Sequence, residues 1–293
     1  MVVCESQVLA GHYIPVAELW PPFNFGSLDK GIFVVIVGYI DESYDGKKIP
    51  STFSLTCTVA TGSEWPYIEL AWLKCLEEKN ASLLRQGRKP ISRYHSRDIN
   101  NFHGDFADWT GSERKEFCEK LIKVFSHHDW GYEGYAVNLK EVVEKWPEYE
   151  SDPFVWAYEV LLKFIMHEIG KGVVTEVPDY TVTLFHERCA YDGVLLEAFN
   201  QLINDPGFAY KHVFTTIAPI GWERCIPLQP ADLVAYENFK EVHRAEAVKE
   251  GDKERPRRLI FSELISLDSF VPHLKQLTRE NIADMRKFRL QRR

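Results

Sequence analysis

The order of elements legible in this sequence predicts an α/β protein: a mixed sheet of five strands flanked by helices, with a helical insertion and a C-terminal helical extension. Three observations carry that prediction. The run Ile32 to Ile40 is apolar and largely β-branched, the signature of a strand buried on both faces. A second strand-like run follows closely enough to form a hairpin with it. Further strand-like runs then alternate with well-delimited helical segments, so an antiparallel beginning leads into β-α-β units.

Taken in order, residues 1–30 hold Pro15, Pro21, Pro22 and Gly26 among isolated aromatics and read as an extended arm lying on the domain. Asp45-Gly46 marks a turn after the first strand, and Thr52 to Ala60 is the second strand. Glu64 to Lys79 carries apolar residues near helical spacing, and a basic, polar loop runs from Arg85 to Arg93. Thr110 and Glu113 have capping-box spacing and open a helix to about His127, with Phe117, Leu121, Val124 and Phe125 on one stripe. Residues 64–128 are thus the helical insertion. Gly131 to Leu139 is the third strand. Asp152 as N-cap, Pro153 at the first helical position, and Gly170 and Gly172 as terminators delimit a crossover helix from Pro153 to Ile169. Tyr180 to Phe185 is the fourth strand, Asp192 caps a helix to about Ile203, and Lys211 to Ile217 is a shorter, edge-like fifth strand. A helix from Pro230 to near Arg244 completes a domain spanning 31–244, and 245–293 forms the extension. Ribonuclease-H-like folds have this order, and other α/β folds are compatible with it.

Composition sets outer bounds. With 293 residues, 45% hydrophobic and 13% aromatic, the chain has the apolar mass for a real core, which excludes wholesale disorder. Six cysteines without a Cys-x-x-Cys pair argue against a structural zinc site or a disulfide framework; they read as buried small hydrophobes in a reducing compartment. No apolar run approaches the ~20 residues that span a bilayer. The N-terminus lacks the features of a signal peptide, so a soluble cytoplasmic protein without a membrane partner is expected. A formal charge of −8 counts against sequence-independent nucleic-acid binding over the whole surface. Lys253 to Arg258 and Arg286 to Arg293 are local basic exceptions, either solvated surface or a strip for a phosphate backbone. No Walker-type phosphate loop, Gly-x-Gly-x-x-Gly or Gly-x-Ser-x-Gly elbow occurs.

The chemistry concentrates in two distant patches. Tyr39-Ile40-Asp41-Glu42-Ser43 ends the first strand, and Leu228-Gln229-Pro230-Ala231-Asp232-Leu233 opens a helix. Each places a carboxylate where an element meets a loop, a usual address of catalytic groups in α/β folds. An acid beside a buried strand needs a partner or a cation, or its pKa rises; the alternative is that Asp41 caps the following turn with Ser43. Glu42 ranks behind Asp41 because adjacent strand residues face opposite ways. His186-Glu187-Arg188 ends the fourth strand, and if that strand lies beside and parallel to the first, Asp41 and Glu187 face one crevice. An ordinary strand-end salt bridge is the competing account of Glu187. Gln229 and Asp232 share a helix face, and Asp232 lies in the first turn, where the helix dipole favours an acid in any case. Its apolar neighbours imply partial burial. Tyr94-His95-Ser96-Arg97-Asp98 brings in His95 and Asp98 as a further ligand, a general base or a phosphate contact, against a purely structural role. His103, His127 and His128 are assigned no role.

Together these patches resemble a large, mostly bacterial family known as domain of unknown function 3800. Its members share Asp-Glu-Ser after the first strand, Leu-Gln-x-Ala-Asp-Leu near the C-terminus, a short His-containing patch and an acid ending a later strand. Here these correspond to Asp41-Glu42-Ser43, the segment Leu228 to Leu233, His95 with Asp98, and Glu187, over roughly residues 33 to 240. Tyr44 stands where the family commonly has Gly, and Glu187 where it usually has Asp. The resemblance implies a ribonuclease-H-like fold and a metal-dependent nuclease or phosphodiesterase.

The resulting expectation is metal-dependent phosphodiester hydrolysis. Asp41, Glu187 and Asp232 are the ligands for Mg²⁺ or Mn²⁺, with His95 as proton carrier or phosphate contact and Glu42, Gln229 and Asp98 as supports. The partner is a nucleic acid, DNA or RNA. A non-catalytic interaction module on the same fold, in defence against phage or mobile elements, is the alternative. A phosphatase or nucleotidyl-transfer enzyme acting on small molecules is a third reading.

Overall fold

The computed structural model describes residues 34–47, 49–176, 180–249, 256–266 and 273–276. The expected N-terminal arm, the basic cluster at 286–293 and most of the C-terminal extension lie outside these residues.

The apolar run expected as the first strand is described as β1, Val34–Tyr44, and its hairpin partner is β2, Phe53–Thr61. β1 continues four residues beyond its expected end at Ile40, because the antiparallel ladder carries on: Asp41 opposes Thr56, Glu42 opposes Leu55 and Ser43 opposes Ser54. Charge does not stop a strand whose backbone still has a partner. The insertion follows as α1, Trp65–Arg85, the short α2, Ser96–Asn101, and α3, Gly111–Phe125. α1 runs well past Lys79, since Asn80 and Leu83 are buried and extend its core-facing stripe. The capping box is present, with Thr110 and Glu113 each accepting from the other's backbone N–H. His128, given no role from sequence, pairs its ring with Glu64.

After β3, Trp130–Val137, a short helix absent from the sequence prediction, α4, Leu139–Lys145, starts at an Asn138 cap. The crossover helix α5 spans Pro153–Glu176 and passes through both glycines expected to end it. The reason is packing. A Cβ on Gly170 would lie 2.5 Å from the Cβ of Tyr210, so this glycine admits a neighbour rather than terminating a helix. Gly170→Ala is therefore expected to destabilise the chain by about 1–3 kcal/mol through overpacking, despite alanine's better helix propensity. A lower urea midpoint is the readout; an unchanged or higher one would refute the packing account.

β4, Tyr180–Glu187, leads through a turn to α6, Asp192–Asn204. Asp192 is not the residue before the helix, as expected, but its first member, and its carboxylate accepts the Cys189 N–H. β5 is Phe214–Ile220, shifted toward the C-terminus because Lys211–Val213 forms a 3-10 turn. α7, Leu228–Lys249, α8, Leu259–Ile265, and β6, His273–Gln276, complete the described chain. The expected five-stranded sheet thus gains a sixth, edge strand within the extension read as helical, parallel to residues 133–136 of β3.

The sheet order is β5-β4-β1-β2-β3-β6, with β1/β2 and β2/β3 antiparallel and β1/β4 and β4/β5 parallel. Helices cover both faces. Val37, Tyr39, Trp65, Trp72 and Phe117 fill the core under α1, α3 and α7, while Ile40, Leu55, Tyr158, Leu162 and Leu184 fill the one under α5 and α6. α7 lies over β1 and β2, tied by the Asn238 amide donating to Thr56 at 3.2 Å. Its close approach to β3 needs Gly134, where a Cβ would come within 2.6 Å of that amide. Arg258 anchors the segment leading into α8, donating to Glu237 on α7 and to Asn100. Among the described residues no helix is long and apolar enough to cross a membrane.

Candidate carboxylate site

Strand alternation decides which acids share a side of the sheet. On β1, Val37 and Tyr39 face the α7 side, and Asp41 follows in the same phase. On β4, Phe185 packs toward that side, its ring stacked on Tyr39 at 5.6 Å, and Glu187 continues the phase. Parallel pairing runs to Ile40 opposite His186, so Asp41 and Glu187 emerge side by side at the carboxyl ends of adjacent strands. Asp232 comes down from the first turn of α7, and its carboxylate accepts the Ser96 N–H at 2.7 Å. Glu42 faces the opposite side, as regular alternation demands, and the Tyr158 hydroxyl on α5 hydrogen-bonds its carboxylate.

The electrostatics bind these acids into one set. Asp41, only 5% exposed, is pushed well above the usual carboxylate range by burial and then by the charges of Asp232, Glu42 and Glu187. Burial lifts Asp232 to about 6 against the pull of His95 and the Ser96 N–H, with Glu187 adding to the rise. Glu187 is raised by burial and held back by Arg93 and His95. Glu42 rises to about 7, chiefly by burial, while the Tyr158 hydroxyl opposes the shift. Four acids thus sit where their neutral forms are favoured and where a cation would favour the charged forms.

The insertion builds the rim. His95 Nδ1 lies 2.7 Å from Asp98, so the carboxylate orients the ring and leaves Nε2 with the lone pair in the neutral form. Gln229 does not face the acids. Its buried carbonyl oxygen accepts from the Trp72 indole at 3.2 Å and from the Tyr94 N–H at 2.9 Å, which fixes the segment carrying His95 and Ser96. Gln229→Ala is expected to cost about 2–4 kcal/mol, since two buried donors lose their acceptor. Equilibrium urea unfolding checks this, and a loss below about 1 kcal/mol would contradict it.

Sequence reasoning missed Arg93, whose guanidinium stacks on Trp222 at 3.7 Å and whose charge acts on Glu187 and Asp232. Its place in a basic loop was the one available signal; the partner 129 positions away was not. It also missed Tyr158 beside Glu42. The cysteines need correction as well. Cys57, Cys118 and Cys225 are buried small residues as expected, whereas Cys75 and Cys189 are only partly buried. Among the described residues, the trio whose ligand atoms all lie within 4.8 Å of one another is His186, Cys189 and Asp192; Asp41, Glu187 and Asp232 do not close to that spacing. None of the protein-family models, curated proteins or solved structures compared with this chain matches it.

Proposed function

We propose that this chain hydrolyses phosphodiester bonds as a metal-dependent nuclease of ribonuclease-H-like type, with Asp41, Glu187 and Asp232 holding Mg²⁺ or Mn²⁺. The observation that carries the reading is the placement of three acids from β1, β4 and α7 within reach of one another's charge, each with a raised pKa, beside the carboxyl ends of two adjacent parallel strands. An all-oxygen ligand set suits hard divalent cations. The strand order supports the fold assignment, as does the resemblance of the Asp-Glu-Ser and Leu-Gln-x-Ala-Asp-Leu segments to the domain of unknown function 3800 family.

When bound, the cations supply Lewis acidity and a water activated near neutral pH. The remaining work falls to the chain's own side chains. Arg93, braced on Trp222, offers a planar guanidinium to a phosphate oxygen. His95, oriented by Asp98, carries a proton on Nε2 to or from the reacting oxygens. Gln229 positions the segment that bears His95, and the N–H of Ser96 holds Asp232 in place.

The test is cleavage of single- and double-stranded DNA and RNA oligonucleotides with Mn²⁺ or Mg²⁺, against chelator controls. Arg93→Ala is expected to raise KM by about 10- to 100-fold through loss of a charge-assisted contact worth ~1.5–3 kcal/mol. Absence of metal-dependent cleavage on every substrate, together with no Mn²⁺ effect on thermal stability, would favour the non-catalytic interaction module.

A further inference from the structure

We infer that the turn joining β4 to α6 carries a second, softer cation site, formed by His186, Cys189 and Asp192, that takes Zn²⁺ or a similar transition-metal ion. The three residues recur every third position across one tight turn, and their ligand atoms lie within 4.8 Å of one another. His186 Nδ1 and Asp192 Oδ1 are 3.6 Å apart, too long for a hydrogen bond. That separation matches the edge of a tetrahedron around zinc, roughly 3.3–3.8 Å for ligands at ~2.0–2.3 Å. The groups are also held in place. The Asp192 carboxylate accepts the Cys189 N–H at 2.9 Å, the Cys189 sulfur accepts the Tyr191 N–H at 3.4 Å, and the His186 side chain is 3% exposed. Such supporting contacts orient ligands and sustain affinity.

The ligand chemistry separates this site from the carboxylate one. A nitrogen, a sulfur and an oxygen together suit Zn²⁺ or Co²⁺, whereas Mg²⁺ prefers oxygen alone. Three protein ligands leave a fourth position for water. His186 precedes Glu187 on β4, so the neighbours serve opposite sides of the sheet, and an ion at the turn would fix the strand end from which Glu187 projects. His186 Nδ1 also lies 3.0 Å from the Glu187 carbonyl oxygen, a hydrogen bond that metal ligation replaces. With Nδ1 as the ligand the neutral imidazole carries its proton on Nε2, and Cys189 binds as the thiolate, releasing its thiol proton to solvent. This site does not depend on the nuclease reading.

The experiment is a Co²⁺ titration of the full chain in excess Mg²⁺, followed by absorption spectroscopy. A thiolate-to-cobalt charge-transfer band saturating at one ion per chain, displaced by Zn²⁺, is expected. It should be lost in Cys189→Ser and kept in Cys75→Ser. Asp192→Asn preserves an acceptor for the Cys189 N–H and is expected to weaken Zn²⁺ binding by about tenfold or more, which keeps the test decisive should Cys189→Ser fail to fold. No thiolate band in the parent chain, a band that survives Cys189→Ser, or unchanged affinity in Asp192→Asn would overturn the assignment.

Discussion

Asp41→Asn is expected to reduce Mn²⁺-dependent phosphodiester cleavage on the order of 10³-fold while leaving the melting temperature unchanged or higher. Loss of a charged ligand removes several kcal/mol of transition-state stabilisation, and about 4 kcal/mol corresponds to that factor. The stability half of the prediction is what separates a functional acid from a structural one. Asp41 is buried, and its charge is disfavoured there by desolvation and then by the like charges of Asp232, Glu42 and Glu187. A neutral side chain of the same shape removes both penalties. An acid serving as a structural ion-pair partner behaves the opposite way, since its loss strands a buried opposite charge. A variant that stays fully active, or that melts well below the parent chain, would remove Asp41 from the proposed centre. Asp232→Asn makes a useful comparison because its carboxylate also accepts the Ser96 N–H, which an amide oxygen can still do.

The second large effect is a dependence of stability on pH and metal. Glu42 rises from 4.5 to about 7 and Asp232 from 3.8 to about 6, each chiefly through burial. Between these values the folded chain keeps protons that the unfolded chain has released, so each group stabilises the fold below its unfolded pKa. That contribution is lost as the pH climbs through the folded value. For these two groups the loss is on the order of 1–3 kcal/mol each between about pH 4 and pH 8. His186 works in the other direction, because burial lowers its pKa and its cost appears as the pH falls below about 6.5. The informative quantity is therefore the difference between parent and variant. In chelator, Glu42→Gln and Asp232→Asn should each flatten the fall in melting temperature from pH 5 to pH 8. Mn²⁺ competes with the same protons, so its stabilising effect should be larger at pH 8 than at pH 5 and smaller in Asp232→Asn. Parallel pH profiles for parent and variants would contradict the burial of these acids, and an Mn²⁺ effect unchanged in Asp232→Asn would contradict the shared-site account.

Most of the sheet could be read directly from the chain. The apolar run before Asp41, the Thr110–Glu113 cap and the Asp152-Pro153 start each express a local rule, and local rules hold where a segment's own hydrogen bonding or burial decides its state. Boundaries failed where a distant partner decided instead. β1 runs on through Asp41-Glu42-Ser43 because β2 continues to pair with it, α5 crosses Gly170 because Tyr210 needs the space, and β6 exists because β3 offers an open edge.

By itself, the sequence determined the element types, the acids that end strands or open helices, and the absence of phosphate-loop motifs, because those depend on spacing within a few residues. Tertiary structure decided which of those acids share a field. It set Glu42 apart from Asp41 across the sheet, turned Gln229 into a brace for the Tyr94 segment, brought Arg93 onto Trp222 and gathered His186, Cys189 and Asp192 around one turn. The physical reason is range. Propensity and periodicity act through a residue's near neighbours, whereas desolvation and Coulomb forces depend on distances that only the folded chain sets.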